Sequence, residues 1–297
     1  MVSSDIRKQA RASLKGKWRK GALMTLVYIL IIYAMQFVAN FIPLIGSIAL
    51  LVIEIPIAYG IIVSFMKLKR GEDVSLLGFL TDGFAAFEKS WSVAWNIVKK
   101  LIIPIILLFV FLGIMIAGTV MTTADLITNS KNAVDSYQSL LNYEMDELDN
   151  SESSFGTSYR SGIRSISATP EDLIGPEQKT TGLGSGVLLM VGSIGYFVAL
   201  IYMAVKSLYY SLEMYILKDN EELSGKEIVE KSAELMKGNR WNYVWLSLTF
   251  IGWMFLAGLT LGIGMFWLVP YIQISQIIFY EDRAGIFNEV EEVIKEN

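Results

Sequence analysis

The feature that most constrains this chain is a series of apolar runs, each about as long as a bilayer is thick. A helix needs about 20 mostly apolar residues to cross about 30 Å of hydrocarbon at 1.5 Å per residue. Hydrophobic residues make up 53% of the 297 residues. The runs that satisfy the length requirement are 22–42, 44–66, 101–121, 186–208, 243–262 and 263–280. The sequence therefore predicts an all-α fold: a polytopic membrane helix bundle with six spans.

The first run follows a basic stretch, as the apolar core of a secretory signal peptide does. The run 22–42 is longer than the usual 7 to 15 apolar residues of such a signal, and further runs follow it. We therefore interpret it as the first spanning helix rather than as a cleaved signal.

Cysteine and histidine are both absent from the sequence. The chain therefore contains no disulfide, no thiolate nucleophile, no imidazole base and no zinc site of the usual ligands. We also find no Walker loop, no Ser-His-Asp set and no spaced cluster of Asp residues like those that hold metal and phosphate in membrane phosphotransferases. The sequence thus predicts no catalytic residues, no metal site and no cofactor, and disfavours an enzyme of lipid metabolism.

The distribution of basic residues predicts the orientation in the membrane. Segments 1–20, 67–100 and 218–242 carry seven, six and five Lys or Arg, whereas the much longer segment 122–185 carries four. Basic residues are retained on the cytoplasmic side of bacterial membranes. We therefore expect a multi-pass membrane protein with both termini cytoplasmic, residues 122–185 outside, and anionic lipid headgroups contacting its basic cytoplasmic side.

A short motif occurs twice, as SLKGKW at 13–18 and ELMKGNRW at 234–241. Before the second copy, Ser224 and Glu227 have the spacing of a capping box, and Gly238 follows an amphipathic stretch where a left-handed residue would end a helix. Each copy is interpreted as a joint between an amphipathic helix lying on the bilayer and a helix crossing it. The residues of these interfacial joints are Lys15, Gly16, Trp18, Lys237, Gly238 and Trp241.

Wider spacings indicate an internal repeat. Gly71 lies fifteen positions after Pro56, and Gly285 lies fifteen positions after Pro270. In addition, LKRGEDVS at 68–75 resembles LKDNEELS at 217–224. Three parallel units, each an interfacial helix followed by a transmembrane hairpin, would cover 3–70, 75–217 and 224–281. The middle unit would begin with an amphipathic stretch formed by Leu80, Phe84, Phe87, Trp91, Trp95 and Val98. The alternative is that aromatic and basic residues border the apolar runs of any membrane protein.

The segment 122–185 interrupts this pattern, so the sequence predicts three regions. Residues 1–121 hold the first hairpin, the second interfacial helix and the third span, and 186–297 hold the remaining spans, the third interfacial helix and a cytoplasmic tail. The insertion 122–185 begins with a helix over 122–149, whose apolar stripe could contact a second copy, the start of the fourth span or another membrane component. It continues as a Ser-, Thr- and Gly-rich linker over 150–185. The stripe consists of Val134, Tyr137, Leu141, Met145 and Leu148.

Ionisable groups at membrane depth cost about 2.5 to 3.5 kcal/mol on insertion scales and invite explanation. Glu54 lies within the second run, and matching the two related junctions puts Lys206 at a similar depth. One interpretation is a polar transport cavity, and the other is a paired or protonated carboxyl with amides that bridge helices. The amides that could join such a centre are Gln36, Asn40, Gln273 and Gln276.

Several ordered motifs resemble the bacterial integral membrane protein family of unknown function numbered 975. They are LKGKW, FIPLIG, KLKRGEDVS, SAELMKGNRWNYVWLSLTFIGW, LTLGIGMFWLVPYI and FYED. The resemblance covers most of the chain except the insertion 122–185. It implies a polytopic protein of bacterial cytoplasmic membranes, and it transfers no reaction and no catalytic residue.

Two functions are favoured over an enzyme. The first is a non-enzymatic accessory, scaffold or modulator protein of the cell membrane or of an export or lipid system. The second is a small transporter or lipid-moving protein whose polar centre includes Glu54. Neither interpretation involves nucleic acid.

Overall fold

The computed structural model describes residues 1–151 and 176–286, and within these ranges the regular structure is helical. The longest element is a helix of 65 residues, which begins shortly after the first hairpin. A short 3-10 helix, Leu208–Tyr210, lies between the sixth and seventh α-helices. The α-helices are α1 Ser3–Leu14, α2 Trp18–Ala39, α3 Pro43–Arg70, α4 Gly78–Ala85, α5 Phe87–Ser151, α6 Pro176–Ser207, α7 Glu213–Asp219, α8 Gly225–Leu235, α9 Arg240–Leu248, α10 Ile251–Leu259 and α11 Met265–Ala284.

Five helical stretches among the described residues are long and apolar enough to cross a membrane. They are Trp18–Ala39, Ile45–Arg70, Phe87–Tyr143, Gly184–Asp219 and Arg240–Leu259. These stretches indicate a membrane protein. The sixth predicted span, 263–280, lies in α11, which is not among the five. Helix α11 is less apolar because it contains two glutamines and ends in three consecutive charged residues.

The described residues form two compact units, whose boundaries differ from the predicted domains. One unit contains Met1–Ile102 together with the described residues from Ala204 onward, and the other contains Ile103–Met203. The sequence-based boundaries fall at 121 and 185 instead. Of the predicted linker, 150–185, residues 152–175 lie outside the described residues. Helix α6 begins at Pro176, so residues 176–185 are helical where the sequence predicts a linker.

In the first unit, each amphipathic segment packs along a neighbouring helix. Helix α1 contacts α11, α4 contacts α3, and α8 contacts α7. On α1 the apolar residues Ile6, Ala10 and Leu14 have the predicted helical spacing and are buried in the protein core. This differs from the prediction that such helices rest on the bilayer, because the apolar face of α1 is covered by protein.

Helix α4 and the start of α5 bury a face that is offset from the predicted stripe. The buried residues are Phe79, Gly83, Ser90 and Val93, whereas Phe84 and Trp95 of the predicted stripe are exposed. Large apolar residues therefore occur on both faces of this segment, one packed on protein and the other exposed. The face that is buried is the one that allows close approach to α3.

Two glycines make that close approach possible. A β-carbon added to Gly60 of α3 would lie 1.8 Å from the carbonyl oxygen of Phe79, and one added to Gly83 would lie 2.2 Å from that of Pro56. Pro56 has no N–H, so the Val52 carbonyl lacks its usual helical donor. The indole Nε1–H of Trp91 donates to this carbonyl oxygen at 3.0 Å. The second amphipathic segment therefore stabilises α3 at its internal proline.

The second unit contains the remainder of α5 and most of α6, which also approach each other through glycines. A β-carbon on Gly192 would lie 2.8 Å from the backbone nitrogen of Met115, and one on Gly195 would lie 2.1 Å from the Phe111 ring. Small residues at such positions let membrane helices pack closely. Beyond this contact α5 continues without a break to Ser151, in agreement with the helix predicted over 122–149.

Candidate functional site

Charged side chains gather where α3, α7 and α11 end. The two terminal nitrogens of Arg70, on α3, each lie 2.7 Å from a carboxylate oxygen of Asp219, on α7. The same guanidinium lies 3.6 Å from Oε1 of Glu281, on α11. Lys69 donates a hydrogen bond to the other oxygen of Glu281. We call Lys69, Arg70, Asp219 and Glu281 the ion-pair cluster.

The ion-pair cluster is well shielded from solvent. The side chain of Glu281 is 4% exposed, and those of Lys69 and Asp219 are 14% and 16% exposed. Desolvating a charge is costly, and the cost is offset only when partners and hydrogen bonds are well placed. Here one carboxylate meets two cations, and the planar guanidinium of Arg70 binds Asp219 through two parallel hydrogen bonds. The cluster therefore fixes the mutual position of three helix ends.

A polar cavity of about 210 Å³ lies beside the ion-pair cluster, between α3, α4 and the loop after α7. Asp82 at its edge accepts two hydrogen bonds of 2.8 Å from Lys67. Lys89 donates to the backbone carbonyl of Glu221, and Lys218 forms a 2.7 Å ion pair with the Glu221 side chain. The cavity is thus lined by charged groups of both signs that bind one another.

Outside the spans, three carboxyl groups are stabilised in their charged form. A hydrogen bond from Lys218 lowers the pKa of Glu221, and one from Lys20 lowers the pKa of Asp73. The backbone N–H and the hydroxyl of Ser224 donate to Glu227 and lower its pKa. In return the Ser224 hydroxyl accepts from the Glu227 N–H, which completes the predicted capping box at the start of α8.

The predicted intramembrane polar residues lie in different surroundings. The side chains of Glu54 on α3, Gln36 on α2 and Asn40 after α2 are exposed. Lys206, near the end of α6, is half-buried, and its Nζ lies 5.9 Å from the centre of the Tyr209 ring. Side chains that line an enclosed polar centre would be shielded, whereas those of Glu54, Gln36 and Asn40 are exposed.

The two glutamines of α11 face the interior of the first unit. The hydroxyl of Tyr215, on α7, donates to Oε1 of Gln276 at 3.3 Å. Oε1 of Gln273 is buried and accepts no hydrogen bond from the described residues. Gln276 therefore has the helix-bridging role that amides often have in membrane bundles.

The two predicted joints share their backbone but not their side-chain contacts. Gly16 and Gly238 have φ of +80° and +81°, in the left-handed region where glycine is favoured. Lys15 and Lys237 are both exposed. Trp18 packs against Tyr271 with ring centres 6.3 Å apart, whereas Trp241 is 81% exposed. The tryptophan after the glycine therefore packs against protein in the first joint, whereas it is exposed in the second.

Comparison with known families gives a match at the C-terminal part of the chain. Residues 161–284 match the family described as protein of unknown function DUF975. This stretch contains three of the six motifs that resemble the same family, SAELMKGNRWNYVWLSLTFIGW, LTLGIGMFWLVPYI and FYED. No curated protein and no solved structure matches the chain. In the part of the chain that the structure describes, no three Asp, Glu, Cys or His side chains come together as potential metal ligands.

The DUF975 match contains Asp219 and Glu281, two members of the ion-pair cluster that sequence reasoning missed. A signal was present in the related junctions LKRGEDVS and LKDNEELS. Aligning them puts Arg70 opposite Asp219, so matched positions carry opposite charges. Related helix ends that meet around a common centre would bring such positions together. The ion pairs of Lys69 and Arg70 with Glu281 have no counterpart in that alignment.

Proposed function

We propose that this chain is a non-enzymatic accessory or scaffold protein of the bacterial cell membrane, which holds another membrane component through the extension of α5. The observation that carries this proposal is an apolar stripe on the part of α5 beyond its most apolar region. Val134, Tyr137, Leu141 and Met145 are 56%, 68%, 58% and 62% exposed. They recur at steps of three and four on one continuous helix. A contiguous exposed apolar surface marks an interaction site.

The topology that goes with this function has six spans, with both termini in the cytoplasm and residues 122–185 outside. In this topology α11 forms the sixth span, and three parallel units repeat along the chain. Two observations support the repeat. Helices α3 and α11 end at Gly71 and Gly285, with φ of +82° and +79°, and their internal prolines precede these glycines by equal distances. Each unit also has an amphipathic segment packed against a neighbouring helix.

A small transporter or lipid-moving protein with a polar centre at Glu54 receives less support. Such a centre needs several polar groups facing one cavity. Glu54, Gln36 and Asn40 are exposed, whereas Gln276 bonds to Tyr215. We therefore favour the accessory function.

The partner can be tested by photo-crosslinking in living cells. A photoreactive residue placed at Tyr137 or Leu141 should give discrete crosslinked products, because these positions face the partner. Ser136 and Ser139 lie on another face of the same helix and serve as matched controls. Equal crosslinking from all four positions, or none from the stripe, would refute a partner bound to this face. A product of twice the chain mass would identify a second copy as the partner.

A further inference from the structure

Two apolar grooves share a wall in the first unit, and the lining of each includes one arginine. The first groove lies between α1, α10 and α11 and has a volume of about 400 Å³. The second lies between α2 and α11 and has a volume of about 380 Å³. Their shared wall consists of Trp18 and Trp267, which line both.

The first groove is lined mainly by apolar side chains. They include Trp253, Leu256 and Leu268, and Arg11 lines the groove beside Tyr271. Nη1 of Arg11 donates to the Tyr271 hydroxyl at 2.9 Å, which orients the guanidinium. A guanidinium has five N–H donors, and this hydrogen bond uses one of them.

The second groove follows the first two turns of α2. Ala22, Leu23 and Leu26 line it from α2, and Phe266 lines it from α11. Arg19, in the first turn of α2, is its charged residue and is exposed. The two grooves therefore begin near the start of α2, each with a guanidinium, and continue between apolar side chains.

The charges around the grooves favour an anion at this end. Neither lining contains a carboxylate. Two neighbouring basic residues are engaged elsewhere: Nζ of Lys17 donates to the carbonyl of Leu68 at 2.8 Å, and Lys20 pairs with Asp73 at 3.0 Å. Arg11 and Arg19 thus present positive charge where the apolar grooves begin.

We propose that these grooves form a site for one anionic phospholipid. Its phosphate binds between Arg11 and Arg19, and its two acyl chains lie in the two grooves on either side of Trp18 and Trp267. Planar guanidinium groups suit phosphate oxygens, and basic pockets between membrane helices bind anionic headgroups. This lipid site does not depend on any partner bound to the α5 stripe. An experiment can therefore contradict one of the two proposals and leave the other unaffected.

Tryptophan fluorescence gives a direct test, because Trp18, Trp253 and Trp267 line the grooves. The full-length protein is reconstituted into vesicles of dibrominated phosphatidylcholine, whose bromines quench nearby tryptophans. Unbrominated phosphatidylglycerol is then added in increasing mole fraction. A selective site should recover fluorescence at a lower mole fraction of phosphatidylglycerol than of unbrominated phosphatidylcholine.

The decisive variant is Arg11→Gln with Arg19→Gln. Selectivity for phosphatidylglycerol should fall about fivefold for each arginine removed. The matched control, Lys8→Gln with Lys15→Gln, removes the same charge from exposed residues outside the groove linings and should keep the wild-type selectivity. Tyr271→Phe removes the hydrogen bond that orients Arg11 but keeps both charges, so it should lower selectivity less than Arg11→Gln does.

Two results would overturn the proposal. Equal loss in the arginine and lysine pairs would mean general attraction to an anionic surface. Recovery in proportion to mole fraction, with no preference in the wild type, would mean ordinary exchange of surrounding lipid. Thermal unfolding of each variant in detergent shows whether a loss of selectivity comes from misfolding. The control pair and Tyr271→Phe alter the same part of the protein, so they show how substitutions there affect stability.

Discussion

At the scale of single residues, Glu281 has the most demanding environment described above. Its carboxylate is nearly inaccessible and contacts both Lys69 and Arg70. A buried carboxylate is stabilised only while its cations stay in place. Removal of the Glu281 carboxylate would leave Lys69 and Arg70 in a shielded region with fewer negative groups to offset their charges. The stability of the first unit should therefore depend strongly on this one side chain.

We expect Glu281→Gln to lower the free energy of unfolding by about 3 kcal/mol, because it leaves shielded charges without their partner. The measurement is unfolding of the purified protein in detergent micelles. Asp73→Asn is the control, since Asp73 is fully exposed and its pair with Lys20 should contribute little. A Glu281→Gln protein as stable as the control would show that the cluster does not hold the helix ends together.

At the scale of elements, the contact between α3 and α4 depends on the absence of side chains at Gly60 and Gly83. The backbones approach so closely that even a methyl group would overlap a carbonyl oxygen. Neither helix can relieve this overlap by rotating a side chain, so one helix must move. The hydrogen bond from Trp91 to Val52 lies on the same pair of segments and should weaken with that movement.

Gly60→Ala should accordingly destabilise the protein by about 1–3 kcal/mol, the usual range for overpacking. Gly113→Ala provides a matched control on α5, where nothing lies within 4 Å of the added methyl. There the substitution should stabilise by about 0.5–1 kcal/mol, since alanine favours helix over glycine. Thermal unfolding measures the stability of both variants. Hydrogen exchange at α4 shows whether α4 separates locally from α3 or the whole fold is lost. Equal behaviour of the two variants would contradict the close contact.

At the scale of the whole molecule, the proposed topology follows from the basic residues and the apolar helices together. Basic residues are concentrated near the starts of α2, α5 and α9, whereas the segment after the apolar part of α5 is acidic. A bilayer retains positive segments on the cytoplasmic side. The proposed topology would put the arginines of the two grooves on the cytoplasmic face and the α5 stripe outside.

A reporter enzyme that is active only outside the cytoplasm tests this orientation. Fusions near Ser154 should be active, and fusions after Gly71 or at Asn297 should be silent. A cytoplasmic reporter at the same positions should give the complementary pattern. The reverse pattern would put both proposed interaction surfaces on the other side of the membrane.

The sequence alone determined the features that depend on neighbours along the chain. Apolar runs of sufficient length predict helices, the spacing of Ser224 and Glu227 predicts a capping box, and glycine after an amphipathic helix predicts the left-handed residue seen at Gly238. Only tertiary structure decided which face of α4 is buried, that α1 packs on protein, and that Glu281 meets Lys69 and Arg70. Helix formation and capping are local, whereas burial and ion pairing depend on where distant segments come together in space.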